Sequence, residues 1–138
     1  MEGPAGCGGF EVPVAEQVMA DSKAIPTIAR IWRGRTRPER ADEYERYNYE
    51  AGIKPLIEKA LGVQTLREDR ADESEFVTIS YWESIEAMAR FTGGDPTRIH
   101  HLERDAEFLI ELPQRVQILQ IRSSHGRTDG PVLAPGLR

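Results

Sequence analysis

From residue 27 onward the apolar and polar positions follow two periods in turn. Thr27 to Arg35 (TIARIWRGR) alternates and is rich in β-formers, the pattern of a strand. One face of that strand carries Ile28, Arg30 and Trp32, and the other carries Ala29, Ile31 and Arg33. Thr36-Arg37-Pro38-Glu39 has the spacing of a capping box with an early proline, so a helix is predicted to begin there. This helix sets Ala41, Tyr44, Tyr47 or Asn48, and Ala51 on one stripe. Gly52 and Pro55 break or kink it, Leu56, Ile57 and Ala60 continue it, and Gly62 stops it. Val63 to Arg70 reads as a second strand, Asp72-Glu73-Ser74 as a polar turn, and Phe76 to Trp82 as a third strand. Ser84 caps a second helix with Met88 and Phe91 at helical spacing. A third helical stretch is predicted from about Thr97 to Glu111, with Ile99, Leu102, Ala106 and Leu109 on one side. Pro113 ends it, and Val116 to Ile121 is the fourth strand.

The order β-α-β-β-α-(α)-β is the split βαβ, ferredoxin-like arrangement of the α+β class: a four-stranded antiparallel sheet with helices on one face. The other face is left bare, yet strands three and four carry apolar residues on both parities. Phe76 and Trp82 lie opposite Val77, Ile79 and Tyr81, and Val116 and Ile118 lie opposite Leu119 and Ile121. An apolar face of that size needs a cover, and a second copy of the chain is the simplest one. The expectation is a homodimer with two sheets packed face to face, Tyr81 in the dimer core and Trp82 bordering a pocket.

The folded domain is expected over 25–122, with a flexible extension over 1–24 and a disordered tail over 123–138, both rich in Gly, Pro or Ser. Met19 begins a stretch that would itself make a sensible start. A net charge of -5 argues against a nucleic-acid binder. No apolar run reaches the ~20 residues of a membrane span, so neither nucleic acid nor membrane is an expected partner. The single cysteine, Cys7, permits no internal disulfide and fits a reducing cytoplasm.

The stretch "FVTISYWESIEAMARFTG", preceded by strand-helix-Gly-strand and followed by "RDAEFLIELPQRVQILQI", resembles the antibiotic biosynthesis monooxygenase-like (ABM) family of dimeric α+β barrels. The resemblance covers about Ile28 to Ile121. It implies a homodimer with a pocket in each subunit between helices and sheet. Some members oxidise aromatic polyketides with oxygen and no cofactor, others cleave haem, and the superfamily also contains isomerases and cyclases. The haem-cleaving members use an Asn on strand one, a Trp at the end of strand three and a His after the second helix. Trp82 matches the Trp, strand one has no Asn, and Gly93-Gly94-Asp95-Pro96 displaces His100 and His101 along the chain. No cofactor is therefore expected, and haem is the one group the resemblance leaves open.

Trp82 offers a flat wall and one N–H donor to an aromatic substrate. Tyr44 and Asn48 share a side of the first helix, where a polar group needs a partner that a ligand could supply. His100 and His101 offer the residue type that titrates near neutrality and are the candidate bases; by helical phasing His101 lies at the edge of the buried side. Arg30 falls mid-strand, where burial would call for an anion: a substrate carboxylate or phenolate, or, the favoured reading, an acidic residue of the second subunit. The carboxylates at 68–75 and at 103–111, Asp105 among them, read as solvated surface. Two adjacent histidines without Cys or a converging carboxylate make no metal site, and no phosphate loop, dinucleotide fingerprint or nucleophile elbow is present. The leading expectation is a cofactor-independent monooxygenase acting on a small, largely apolar aromatic or polyketide-like molecule. The alternatives are a non-catalytic ligand-binding dimer and an isomerase or cyclase on the same scaffold.

Overall fold

The computed structural model describes residues 24–126 and 133–137. Cys7, Met19 and nearly all of the expected extension over 1–24 lie outside the described residues. Four strands form one sheet: β1 (Ile28–Thr36), β2 (Gly62–Asp69), β3 (Ser74–Trp82) and β4 (Gln117–Gln120). Their spatial order is β2-β3-β1-β4, and every neighbouring pair is antiparallel. This is the expected α+β, ferredoxin-like arrangement, with strand ends shifted by one or two residues from their sequence positions.

The register fixes the two faces. Ile28 lies opposite Trp82, Arg30 opposite Ser80 and Gly34 opposite Phe76. This even-numbered face is covered by helices. Gly34 is needed there because the Trp32 ring crosses it and leaves no room for a Cβ. The odd-numbered face of β3, with Val77, Ile79 and Tyr81, is half-buried, while Leu66 and Leu119 at its sides are exposed.

The covering layer begins with a 3-10 turn (Pro38–Arg40), then α1 (Ala41–Asn48), a π-helical segment (Tyr49–Ile53) and α2 (Lys54–Lys59). Pro38 stands at the first turn as expected, but the capping box does not form. Thr36 is fully buried as the last residue of β1, its hydroxyl donating to the Arg37 carbonyl at 3.0 Å, and Arg37 takes the cap position without a side-chain bond. The π segment corrects the stripe as well. Pro55 has no N–H to return to Ala51, and the Lys54 N–H closes instead on the Tyr49 carbonyl. One residue is gained per turn, so burial passes from Ala41 and Tyr44 to Ile53 and Leu56, leaving Ala51 and Ile57 exposed.

Helix α3 (Ile85–Thr92) is capped as its sequence predicts: the Ser84 hydroxyl accepts the Ala87 N–H at 3.1 Å. Gly93 ends it in the left-handed region at φ 84°. The third helix expected over Thr97 to Glu111 is absent apart from one turn, α4 (Asp105–Phe108). A helix through this stretch would bond the Leu102 N–H to the Arg98 carbonyl. Side chains take both groups instead: Asp105 Oδ2 accepts the Leu102 N–H at 2.8 Å, and Arg30 Nη2 donates to the Arg98 carbonyl at 2.7 Å. Leu109 is already extended and bridges to Thr36. Beyond β4, Pro135–Leu137 form a 3-10 turn lying on α1, within the span expected as a tail.

Candidate functional site

Two apolar clusters lie between the helices and the sheet. One joins Ile28, Leu56, Trp82 and Met88; the other joins Ala41, Tyr44, Phe76, Phe108 and Leu109. Between them the covered face of β3 turns polar, because Thr78 and Ser80 occupy inward positions. Ser80 is spoken for: its hydroxyl accepts the Trp82 indole N–H at 2.9 Å. The Thr78 hydroxyl has no protein partner among the described residues, although only 8% of the residue is exposed.

Thr78 opens onto a cavity of about 20 Å³ between α1, the π segment and the β2–β3 half of the sheet. Asn48 and Tyr49 line it from the helix, Ile53 and Phe76 close it on the apolar side, and Leu137 reaches it from the final turn. The Asn48 side-chain amide likewise has no partner among the described residues. Glu45, also on the wall, is held by Arg67 at 3.2 Å. The cavity thus brings the unmatched Asn48 amide and Thr78 hydroxyl to a wall of mixed character, shared with Glu45 and Thr65, with room for about one water as it stands. A second, wider depression of about 460 Å³ lies outside, between the Pro38–Arg40 turn and α4. Two of its four charges are matched: Arg40 pairs with Glu43 at 3.4 Å and lies 4.4 Å over the Phe108 ring, and Glu107 pairs with Arg104, whereas Arg37 and Glu39 have no ion pair among the described residues.

Of the residues singled out from sequence, Asn48 alone lines this cavity. Tyr44 is fully buried beside it, its hydroxyl donating to Asp105 Oδ1 at 3.3 Å; burial, with the adjacent carboxylate, holds the phenol well above its usual range. Trp82 is 2% exposed, with its one donor occupied and Phe91 at 5.4 Å, so it is a core residue in this chain. Arg30 corrects the interface reading. It lies on the covered face, 9% exposed, donating to the Pro96 carbonyl at 3.3 Å and the Arg98 carbonyl at 2.7 Å. No carboxylate among the described residues pairs with it, and burial pushes its guanidinium below the ordinary value. His100 and His101 stand on the irregular stretch, both exposed, which removes the helical phasing that put His101 at a buried edge. His100 Nε2–H donates to the Thr92 carbonyl at 2.9 Å.

These placements do not bring together the residues that the resemblance names for haem. Trp82 is sealed in the core, His100 is bonded to backbone at the surface, and neither shares the cavity with the other. No group of His, Cys, Asp or Glu among the described residues is arranged to hold a metal ion.

Two groups were missed from sequence. Asp105 is not solvated surface: it is 3% exposed, and burial raises its carboxyl above the ordinary value against the pull of Leu102, Tyr44 and His101. Apolar neighbours on both sides, Leu102 and Phe108, were the available signal. Thr78 and Ser80 were legible as hydroxyls at inward parity in an apolar strand.

No protein-family profile matches the chain, and no curated protein matches it. Among solved structures it is similar to a crystal structure of a candidate antibiotic biosynthesis monooxygenase from Bacillus cereus. The likeness spans 75% of this chain and 100% of that one, with a TM-score of 0.53 and 16% sequence identity. At that identity it is a likeness of fold, and the resemblance carried by the third strand and second helix is borne out at that level. No helix among the described residues is long and apolar enough to cross a membrane.

Proposed function

We propose that the protein binds a small, largely apolar, aromatic molecule bearing one hydrogen-bonding group, in the cleft between α1, the π segment and the sheet. Asn48 and Thr78 take the polar group, and Ile53 and Phe76 border the apolar part. The observation that carries this reading is that the unmatched Asn48 amide and the buried, unmatched Thr78 hydroxyl line one cavity with Ile53 and Phe76. The test is a fluorescence titration with 1-naphthol as probe. Each of Asn48→Leu and Thr78→Val is expected to weaken binding about five- to tenfold, the loss of one hydrogen bond of about 1 kcal/mol. An affinity unchanged in both variants overturns the site.

The likeness to the Bacillus cereus protein favours a second step on the same ligand, cofactor-independent monooxygenation. A base takes the phenolic proton, and the electron-rich phenolate reacts with oxygen. One oxygen atom is added to the ring, the carbon it joins loses its hydrogen, and the other atom leaves as water, giving a quinone. His100 and His101 are the candidate bases; neither lines the cleft as folded, so this step requires a movement that brings one of them to the phenol. Oxygen consumption with 1-naphthol supports this step, and turnover that persists in a His100→Ala, His101→Ala double variant removes the base assignment alone. Turnover without oxygen uptake selects an isomerase or cyclase, and binding without turnover selects a ligand-binding protein. The proposed assembly is a cytoplasmic homodimer covering the open faces of the two sheets. Native mass spectrometry should give twice the 15.6 kDa chain mass, and a monomer at micromolar concentration overturns it.

A further inference from the structure

The cleft as folded is too small for the ligand it is proposed to hold. Its volume is about 20 Å³, whereas small-molecule sites run to roughly 300–1,000 Å³. Some part of the wall must leave. Ile53 and Phe76 are buried, and Thr78 is held by ladders to strands on both sides. Leu137 is held differently. It belongs to a three-residue 3-10 turn, its N–H bonds among the described residues only to the nearby Ala134 carbonyl at 2.8 Å, and its side chain is half-buried. Removing it breaks no strand pairing and no helix.

We infer that the Pro135–Leu137 turn is an intramolecular occupant of the cleft: Leu137 stands where the apolar end of the ligand goes, and the two compete. The inference rests on the binding reading above and adds its regulation. It follows that the ligand's apolar end is at least as large as the isobutyl group it replaces. The adjoining wall is suited to yield as well, since the π segment Tyr49–Ile53 lines the same cavity and lacks the regular α-helical bonding pattern.

The experiment uses the full chain with Leu137→Ser, and with Leu137→Met as the conservative control. Two readouts are taken: backbone hydrogen exchange across Tyr44–Leu56 without ligand, and affinity for 1-naphthol. The expected result is exchange about tenfold faster around Tyr49–Ile53 and binding about tenfold tighter in Leu137→Ser, with Leu137→Met near the parent. Unchanged exchange overturns the inference, because Leu137 is then not seated on the cleft. Faster exchange without tighter binding overturns it too, because Leu137 and the ligand then do not compete. Failure of the binding reading is separate: it shows as naphthol affinity indifferent to Asn48→Leu and Thr78→Val.

Discussion

At one end of the covered face Trp82 packs with Ile28, Leu56 and Met88; at the other, Tyr44 packs with Phe76, Phe108 and Leu109. All four residues of the first cluster come from regular elements, and its polar need is met two residues away, by Ser80. The second cluster is assembled from distant chain. Its Phe108 and Leu109 arrive on an irregular stretch that Asp105 turns, and Asp105 also accepts the hydroxyl of Tyr44. Two cores on one sheet face therefore depend on different physics. One is packing of regular elements with a local hydrogen bond inside β3, and the other is packing held in place by the hydrogen bonds of one buried carboxyl group.

Trp82→Ala is the largest break expected. It should cost about 3–5 kcal/mol in denaturant unfolding, the range for emptying a large aromatic site; a loss under about 1 kcal/mol would mean that the first cluster is not a core. Asp105→Ala comes next, at about 1–3 kcal/mol, because it strips the acceptor from the Leu102 N–H and the buried Tyr44 hydroxyl. Asp105→Asn keeps an acceptor and removes the charge, and here the two clusters separate by pH. Burial raises the folded-state value of Asp105 above its ordinary 3.8, so the folded protein holds that proton more tightly than the unfolded chain. Its contribution to stability is present below about 3.8, declines as pH rises through the folded-state value, and is flat above it. Asp105→Asn should abolish that decline in melting temperatures taken from pH 4 to 7, while Trp82→Ala should leave its shape intact. Smallest is Ser84→Ala, about 1 kcal/mol from the lost α3 cap; it should add to Trp82→Ala less than fully, since α3 carries Met88 into the same cluster.

The same contrast explains what was legible in the sequence. The strands, the Ser84 cap and the two-sided apolar character of β3 are written locally, in alternation and in one hydroxyl before a helix. The stretch from Thr97 to Glu111 is not. Its spacing at Ile99, Leu102, Ala106 and Leu109 fits a helix, but the backbone groups that a helix would use are claimed by Arg30, 68 residues from Arg98, and by Asp105. Periodicity counts side chains and cannot see such a competitor. The candidate site was half legible for the same reason. Asn48 could be placed by its turn of helix, whereas Thr78 acquires meaning only when β3 is paired and its hydroxyl is found without a partner.

The π segment at Tyr49–Ile53 has a consequence for descent as well as for shape. It stores one residue that a regular helix between β1 and β2 would not contain. A relative that winds this helix regularly reaches β2 one residue sooner, so matching the two chains position by position slips from Ile53 onward. Deleting one of the exposed residues Glu50 or Ala51 should therefore cost less than a deletion in a regular turn, because the extra residue is already stored there. A single deletion inside Ala41–Asn48 would rotate Tyr44 out of the core.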